Sequence, residues 1–430
     1  MLNVPVRVRI SKHSGKTRQM LEANVIIKPK REKPIINGHP WVFSGAIREI
    51  DGFPQPGDMV TIKRHDGMFL GRGYWNPNSQ IQVRLLTWED EPIDEAWWRD
   101  MLAQAISRRE QRHTWESEGW GIAYRVINAE NDYLPGLVVD RYGDWLVMQA
   151  LTLGIDQRKA MIAELLAELT DAKGVYERSD VDVRKKEGLE EATGVLWGAP
   201  PPDTITIKEG FQLLAVDVHN GHKTGYYLDQ ANSRGLVGHL VAQHEASAPC
   251  RVLNLFSYTG GFGVQAMEPG NAHIINVDAS LDALQLAEEN ARLNGYDEAN
   301  EYNQTVIEHI QADVFVYLRD QVDEGELYDI VVLDPPKFAH NKHQIDSASR
   351  GYKDINLNAF KLVRPGGYLL TFSCSGAISA DLFQKIVFGA LVDSGRQAQI
   401  ISHLGPGDDH PVALTFPEGA YLKGLLLRVY

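Results

Sequence analysis

Only two of the 430 residues are cysteine, Cys250 and Cys374. That excludes a disulfide-stapled scaffold and suits a reducing compartment. No uncharged apolar stretch approaches the roughly 18 residues that a membrane-spanning helix needs. The N-terminus lacks the charged-then-apolar layout of a secretory leader. The expected setting is therefore the cytoplasm. Basic charge is scarce as well: 43 Lys and Arg face 57 Asp and Glu, for a net charge of −14. Indiscriminate nucleic-acid binding, which wants a basic domain, is excluded. With 43% hydrophobic and 23% charged residues, the chain is neither disordered, collagenous nor a coiled coil.

The charge is unevenly spread. Residues 1–33 carry nine basic side chains against Glu22 and Glu32, a local +7 that leaves −21 for the rest. Such asymmetry fits a basic arm that meets a polyanion, or simply a solvated terminus. The length predicts two or three domains and a core large enough to need no staples. Residues 1–22 read as a flexible basic arm. Residues 23–92 read as short strands between Gly and Pro turns, a small barrel or sandwich. A helix over Asp94–Glu118 leads into a mixed α+β stretch spanning 93–205, with strands at Tyr124–Asn128, Leu137–Asp140 and Trp145–Ala150. Ala199 to Pro202 marks a linker. From 206 to 430, short apolar runs alternate with helices, which predicts a parallel sheet covered on both faces.

Four segments carry chemistry. The apolar run Val252–Phe256 enters a turn with Gly260, Gly261 and Gly263, then a helix. Glycines let the backbone approach a ligand, and the helix start offers free N–H groups. About 20 residues on, Asp278 ends the next strand, where a carboxylate can take both ribose hydroxyls. The glycine order does not match G-x-G-x-x-G, so S-adenosylmethionine is favoured over a dinucleotide. Asp334-Pro335-Pro336-Lys337-Phe338 follows the strand Tyr328–Leu333. Its rigid turn can present Asp334 and Phe338 to a planar substrate. Cys374 follows the strand Tyr368–Phe372. If those two strands are neighbours, Asp334 and Cys374 face one pocket, and a thiolate there can act as nucleophile. Cys374 alone reads equally well as a core residue. The polar run His219–Gln230 reads as a loop closing over the cofactor or as a surface hairpin. Zinc-ligand spacing, a G-x-S-x-G elbow and a Walker loop are all missing, so no metal is expected.

These residues resemble the bacterial 23S ribosomal RNA cytosine-C5 methyltransferases that carry an N-terminal PUA domain. The likeness runs from about residue 23 to the end, through Lys30-Arg-Glu-Lys-Pro34, Gly38-His-Pro-Trp-Val-Phe-Ser-Gly45, Tyr176-Glu-Arg-Ser-Asp180, Arg184, Glu187-Gly-Leu189, Lys223-Thr-Gly225, Leu228-Asp-Gln230, Tyr258-Thr-Gly-Gly-Phe262, Asp334–Phe338, Arg350-Gly-Tyr-Lys353, Phe372-Ser-Cys-Ser375, Asp409-His-Pro411 and Tyr421-Leu-Lys-Gly424. It implies a PUA β-barrel, a small central α+β domain and a Rossmann-like class I methyltransferase domain. It implies S-adenosylmethionine as cofactor, large-subunit ribosomal RNA as partner, and compatibility with a homodimer.

The resemblance also assigns roles. Cys374 would add to cytosine carbon 6, and Asp334 would hold the base edge. Asn254, Phe256, Tyr258, Gly260, Gly261, Asp278, Asp313 and Asp334 would hold the cofactor, with Asp278 on its ribose and Asp313 on its adenine amine. Lys30, Arg31, His39, Trp41, Lys337 and Phe338 would meet RNA. Asn254 departs from the Asp common at the end of the first strand, which keeps an acceptor but loses a charge. Two other readings stay open: methylation of a base nitrogen, which needs no thiol, and a noncatalytic RNA-binding assembly factor. In the nitrogen enzymes the aromatic directly follows Asp-Pro-Pro; here Lys337 intervenes.

Overall fold

The computed structural model describes residues 23–110, 122–245, 248–267, 270–296 and 305–430. The expected basic arm lies outside the described residues, as does the expected helix beyond Glu110. No described helix is long and apolar enough to cross a membrane.

Strands β1 (Ala23–Ile27), β2 (Trp41–Phe43), β3 (Ile47–Asp51), β4 (Met59–Arg64), β5 (Phe69–Trp75) and β6 (Ile81–Thr87) form one sheet in the order β2-β6-β5-β4-β1-β3. Side chains of β1 alternate between buried and half-buried, as a strand with one core face requires. Strand β3 was not legible, because most of its residues are exposed and its only apolar residues are Ile47 and Ile50.

Helix α1 (Lys33–Ile36) is a single turn within this first sheet region, and α2 (Glu95–Glu110) follows the sheet. Trp98, Leu102 and Ala105 of α2 sink into the core of a second sheet. That sheet holds β7 (Ala123–Asn128), β8 (Leu137–Tyr142), β9 (Trp145–Ala150), β10 (Gly174–Ser179) and β11 (Ala192–Gly198), in the order β11-β10-β9-β8-β7. The turn α3 (Leu153–Asp156) and helix α4 (Lys159–Thr170) lie between β9 and β10. A hairpin, β12 (Ile205–Glu209) and β13 (Gln212–Val216), follows.

The third sheet contains β14 (Cys250–Leu255), β15 (Ala272–Asp278), β16 (Val306–Gln311), β17 (Tyr328–Leu333), β18 (Val363–Ser373), β19 (Ala398–Leu404) and β20 (Lys423–Val429). Its order is β16-β15-β14-β17-β18-β20-β19. The first five are parallel, and β20 runs antiparallel to both neighbours. Helices α5 (Ala231–Ala242), α6 (Gly261–Met267), α7 (Leu281–Leu293), α8 (Val314–Glu324), α9 (Ile345–Leu362) and α10 (Ala380–Ser394) cover it. Val252 of β14 joins a core with Val237 and Val264, while Leu253 and Leu255 join one with Leu318, Ile355 and Phe383. Both faces are therefore buried, which explains the continuous apolar runs. The strand order reverses between β14 and β17, and in such sheets ligands bind beyond the strand ends at that reversal.

A buried polar knot joins the first two sheets. Arg84 of β6 reaches Glu130 at 2.8 Å and Glu187 at 3.0 Å. Glu187 also accepts from Asn76 at 2.9 Å and Ser79 at 2.8 Å. Removing one partner of a buried ion pair leaves an uncompensated charge and typically costs about 3–5 kcal/mol. Glu187→Ala is therefore expected to lower the unfolding free energy, from guanidinium titrations read by tryptophan fluorescence, by an amount of that order. Asp182→Ala, at the fully exposed pair with Lys185, is expected to leave it unchanged.

Candidate active site

A cavity of about 500 Å³ opens at the strand reversal, a usual size for a small-molecule site. Pairing of Leu255 with Leu333, and of Leu333 with Thr371, brings the ends of β14, β17 and β18 level. Asp334 and Cys374 thus project over the same space from adjacent strands.

The turn after β14 is conformationally demanding. Phe256 and Tyr258 hold positive φ of 58° and 49°, which non-glycine residues rarely adopt and which clusters at functional sites. Gly260 has φ of +76°, and a side chain at Gly261 would lie 2.3 Å from the Tyr226 hydroxyl. These glycines serve a tight turn and close packing of neighbouring protein. The Tyr258 N–H donates to Asp278 Oδ2 at 2.8 Å, and the Ser280 N–H to Oδ1 at 2.9 Å, so the turn and the end of β15 are tied.

Asp313 caps α8, its Oδ1 accepting from Phe315 N–H at 2.9 Å and Val316 N–H at 3.1 Å. Phe338 packs against Tyr352 at 4.7 Å and Phe315 at 5.9 Å between ring centroids. Phe256, Phe315 and Phe338 make an aromatic wall of the cavity beside Asp313.

Another part of the lining is polar. The loop 219–230 folds over the strand ends, with His222 stacked on Tyr258 at 4.7 Å. Lys223 donates to Asp229 Oδ2 at 2.8 Å, and the Tyr421 hydroxyl to the same oxygen at 2.5 Å. Burial opposes charge on Asp229, but Lys223 and His410 hold its carboxyl well below the usual range. Asp334 behaves oppositely. Burial and the charge of Asp229 push it up to about 7, against the pull of Gln230, Lys223 and Arg234. Burial and Asp334 likewise push the Cys374 thiol up, against Lys223 and Lys337. Lys423 donates to the carbonyls of Ser375 and Ile378 at 2.8 and 2.7 Å, fixing the turn after Cys374. Burial lowers Lys423 to about 8.

Of the residues singled out from sequence, Phe256, Tyr258, Gly261, Asp278, Asp313 and Asp334 line the cavity, as do Lys337, Phe338 and Cys374. Asn254 and Gly260 do not. Asn254 lies on the sheet face below, donating to Asn276 Oδ1 at 2.8 Å. Lys30 and Arg31 are exposed on the turn after β1. His39 and Trp41 are engaged between domains: His39 lies 3.3 Å from Glu418, and the Trp41 indole donates to Glu130 at 2.7 Å. Sequence reasoning did not single out Tyr226, Ser257, Thr259 or Phe315, which line the cavity. Asp229 and Gln230 are read only within the polar run and the Leu228-Asp-Gln230 likeness, without a role, and Arg234 also lines the cavity. His244, Cys250 and Asp329 converge elsewhere. There Asp329 is committed to Arg364 at 2.9 Å, and burial raises the Cys250 thiol to about 12, which disfavours a metal-binding thiolate.

Buried polar atoms without partners line the cavity: the Tyr226 hydroxyl, Asp229 Oδ1, Gln230 Oε1, Ser257 Oγ and Thr259 Oγ1. Native proteins rarely leave such atoms unpaired, so the lining fits a polar ligand with an aromatic-facing part. Fold and cavity together define an S-adenosylmethionine-dependent methyltransferase. Residues 175–400 match the family of S-adenosylmethionine-dependent methyltransferases, and residues 25–88 match PUA-like domains. S-adenosylmethionine is the cofactor.

Ribosomal RNA large subunit methyltransferase I of Shewanella amazonensis is 47% identical over 411 residues, covering 95% of this chain and 100% of that protein. Its namesake in Tolumonas auensis is 46% identical over 410 residues, covering 95% and 100%. The chain belongs to the ribosomal RNA large subunit methyltransferase I family. A methyltransferase structure complexed with SAH superposes with a TM-score of 0.78 at 21% identity, covering 94% of this chain and 99% of that one. A SAM-dependent methyltransferase from Streptococcus mutans gives 0.77 at 20%, with the same coverage. At these identities the likeness is one of fold.

The raised Asp334 carboxyl has a consequence for stability. Its folded-state value exceeds the unfolded 3.8, so the folded chain holds this proton more tightly. The contribution is full in acid and is lost as pH rises through about 7. Asp334→Asn, which cannot ionise, is expected to raise unfolding free energy at pH 8 by on the order of 1–3 kcal/mol. Urea titrations at pH 8 and pH 4 check this, with no gain expected at pH 4.

Proposed function

We propose that this protein methylates carbon 5 of a cytosine in 23S ribosomal RNA through a covalent adduct on Cys374. The observation that carries the reading is the placement of Cys374 and Asp334 over one cavity from adjacent strands. The ribosomal RNA target is supported by the names of the relatives and by their near-complete coverage.

Bound S-adenosylmethionine supplies the methyl group. Asp278 would hold its ribose, Asp313 its adenine amine, and Phe256 and Tyr258 would wall it. Carbon 5 of cytosine is a weak nucleophile. Addition of the Cys374 sulfur to carbon 6 moves an electron pair onto carbon 5, which then takes the methyl group. Loss of the carbon-5 proton to solvent re-forms the double bond as the carbon–sulfur bond breaks, so one hard step becomes two easier ones. Asp334, with both protonation states accessible near neutrality, gives its proton to ring nitrogen 3 as the sulfur adds and takes up the thiol proton in exchange, the ring-nitrogen proton passing back as the thiol re-forms. The base must leave its stack to enter. Lys30 and Arg31, exposed on the first domain, and Lys337, at the cavity rim, would meet the RNA backbone. Phe338 is packed into the aromatic wall and follows Lys337, unlike the stacking aromatic of nitrogen methyltransferases, which favours the carbon target.

Cells lacking the protein are expected to lose one 5-methylcytidine from 23S ribosomal RNA, as read by nucleoside mass spectrometry. Wild type restores it and Cys374→Ala does not, while the purified variant still binds S-adenosylhomocysteine. Loss of a different methylated nucleoside, restored by both versions, would establish the nitrogen reading instead. Cofactor binding without turnover on any ribosomal RNA would point to the noncatalytic one.

A further inference from the structure

Gln230 ends the single turn Leu228–Gln230 that leads into α5. The residue is 2% exposed and lines the cavity. Its Oε1 has no hydrogen-bond partner, and its amide N–H faces the Asp334 carboxyl. A buried amide left unmatched is costly, and one kept at a cavity wall points to a ligand that completes it. Its neighbour identifies the end of the cavity it serves. Gln230 adjoins the Asp334 carboxyl, and Asp334 in turn bears on Cys374. Asp313 instead stands by the aromatic wall, accepting from Phe315 N–H.

We infer that Gln230 is a specificity-determining residue that reads the Watson–Crick edge of the extruded base, its Oε1 accepting from the 4-amino group of cytosine beside Asp334. The inference rests on the cytosine reading above. Cytosine presents an amine donor next to the ring-nitrogen acceptor. A protonated Asp334 and an amide oxygen match that pair at two points. Uracil presents the reverse pair, a ring N–H donor beside a carbonyl acceptor. To seat it, Asp334 would have to ionise next to Asp229 and the amide would have to turn over, both at once. Sites built to hydrogen-bond a substrate group reject analogues lacking it far more strongly than apolar pockets do.

The test compares wild type, Gln230→Met and Gln230→Glu on ribosomal RNA extracted from cells lacking the protein. S-adenosylhomocysteine affinity is measured by calorimetry alongside. Gln230→Met is expected to bind S-adenosylhomocysteine within about twofold of wild type and to form 5-methylcytidine roughly ten- to hundredfold more slowly, the loss typical of one buried hydrogen bond. Wild-type turnover by Gln230→Met overturns the inference. So does a parallel loss of S-adenosylhomocysteine affinity, which would make Gln230 a cofactor ligand. Should Gln230→Met fail to fold, Gln230→Glu decides. It keeps the acceptor but adds a titratable group beside Asp229 and Asp334, so its rate should rise toward acid relative to wild type; a parallel pH profile overturns the role. The wild-type product separates the two claims. A nitrogen-methylated nucleoside overturns the cytosine-C5 reading and the inference with it. Normal 5-methylcytidine from both wild type and Gln230→Met overturns only the inference.

Discussion

Two carboxylates at one end of a buried cavity cannot both carry charge cheaply, and the site is organised around that constraint. Asp229 and Asp334 resolve it by unequal surroundings. Asp229 has a lysine and a tyrosine hydroxyl on one oxygen and stays ionised. Asp334 has no such pairing, and the charge of Asp229 adds to its own burial. One group becomes a fixed anion and the other an acid poised near neutrality. Separation of paired carboxyl groups by environment is a general way to assign acid and base roles within one fold. The Cys374 thiol is drawn into the same balance, because a charged Asp334 resists formation of a thiolate. Proton transfer between them avoids two neighbouring anions.

The polar loop that supplies Asp229 is held by the second sheet. Arg178 of β10 donates to the carbonyls of Val218 at 2.7 Å and Gly221 at 2.8 Å. Thr224 donates to Asp140 of β8 at 2.6 Å, and Asp140 is itself paired with Arg125. The C-terminal segment joins in, since Arg125 N–H donates to Asp409 at 2.8 Å. The same sheet receives Arg84 of the first domain through Glu130 and Glu187. Buried ion pairs therefore tie the first domain to the central one, and buried hydrogen bonds tie the loop over the cavity to the same central domain. Such pairs are weak sources of net stability but punish misalignment severely. They suit a protein in which a surface on one domain must be held in register with a pocket on another.

How far the sequence was legible follows from the range of each interaction. The strand ends at Asp278, Asp334 and Cys374 could be read because each signal is local: an apolar run, then a polar residue at its stop. The parallel sheet was legible for the same reason, its strands being buried on both faces. Gln230 is read only within the polar run and the Leu228-Asp-Gln230 likeness, with no role attached. Its place beside Asp334 is a relation between residues about a hundred positions apart. The assignment of His39 and Trp41 to RNA comes from the resemblance alone, and their contacts to Glu418 and Glu130 across domains come from residues far away in sequence. Asn254 sits at the strand end as expected, but its side chain joins Asn276. One position of register along a strand decides which face a side chain takes.

The central motifs around Tyr176–Asp180 and Glu187 gain a physical reading from this arrangement. Glu177 pairs with Lys159 at 2.9 Å, Arg178 binds the loop, Ser179 accepts from Ala150 N–H at 2.9 Å, and Glu187 anchors the first domain. None of these residues lines the cavity. Their conspicuous polarity therefore belongs to alignment and not to chemistry. A buried polar residue in sequence is thus an incomplete sign of an active site. What separates the two kinds here is where they sit. The aligning carboxylates are spent on protein partners away from the cavity, although Arg84 also keeps an unpaired Nε. Ser257 and Thr259 have hydroxyls left over at the cavity wall, ground that a ligand would occupy.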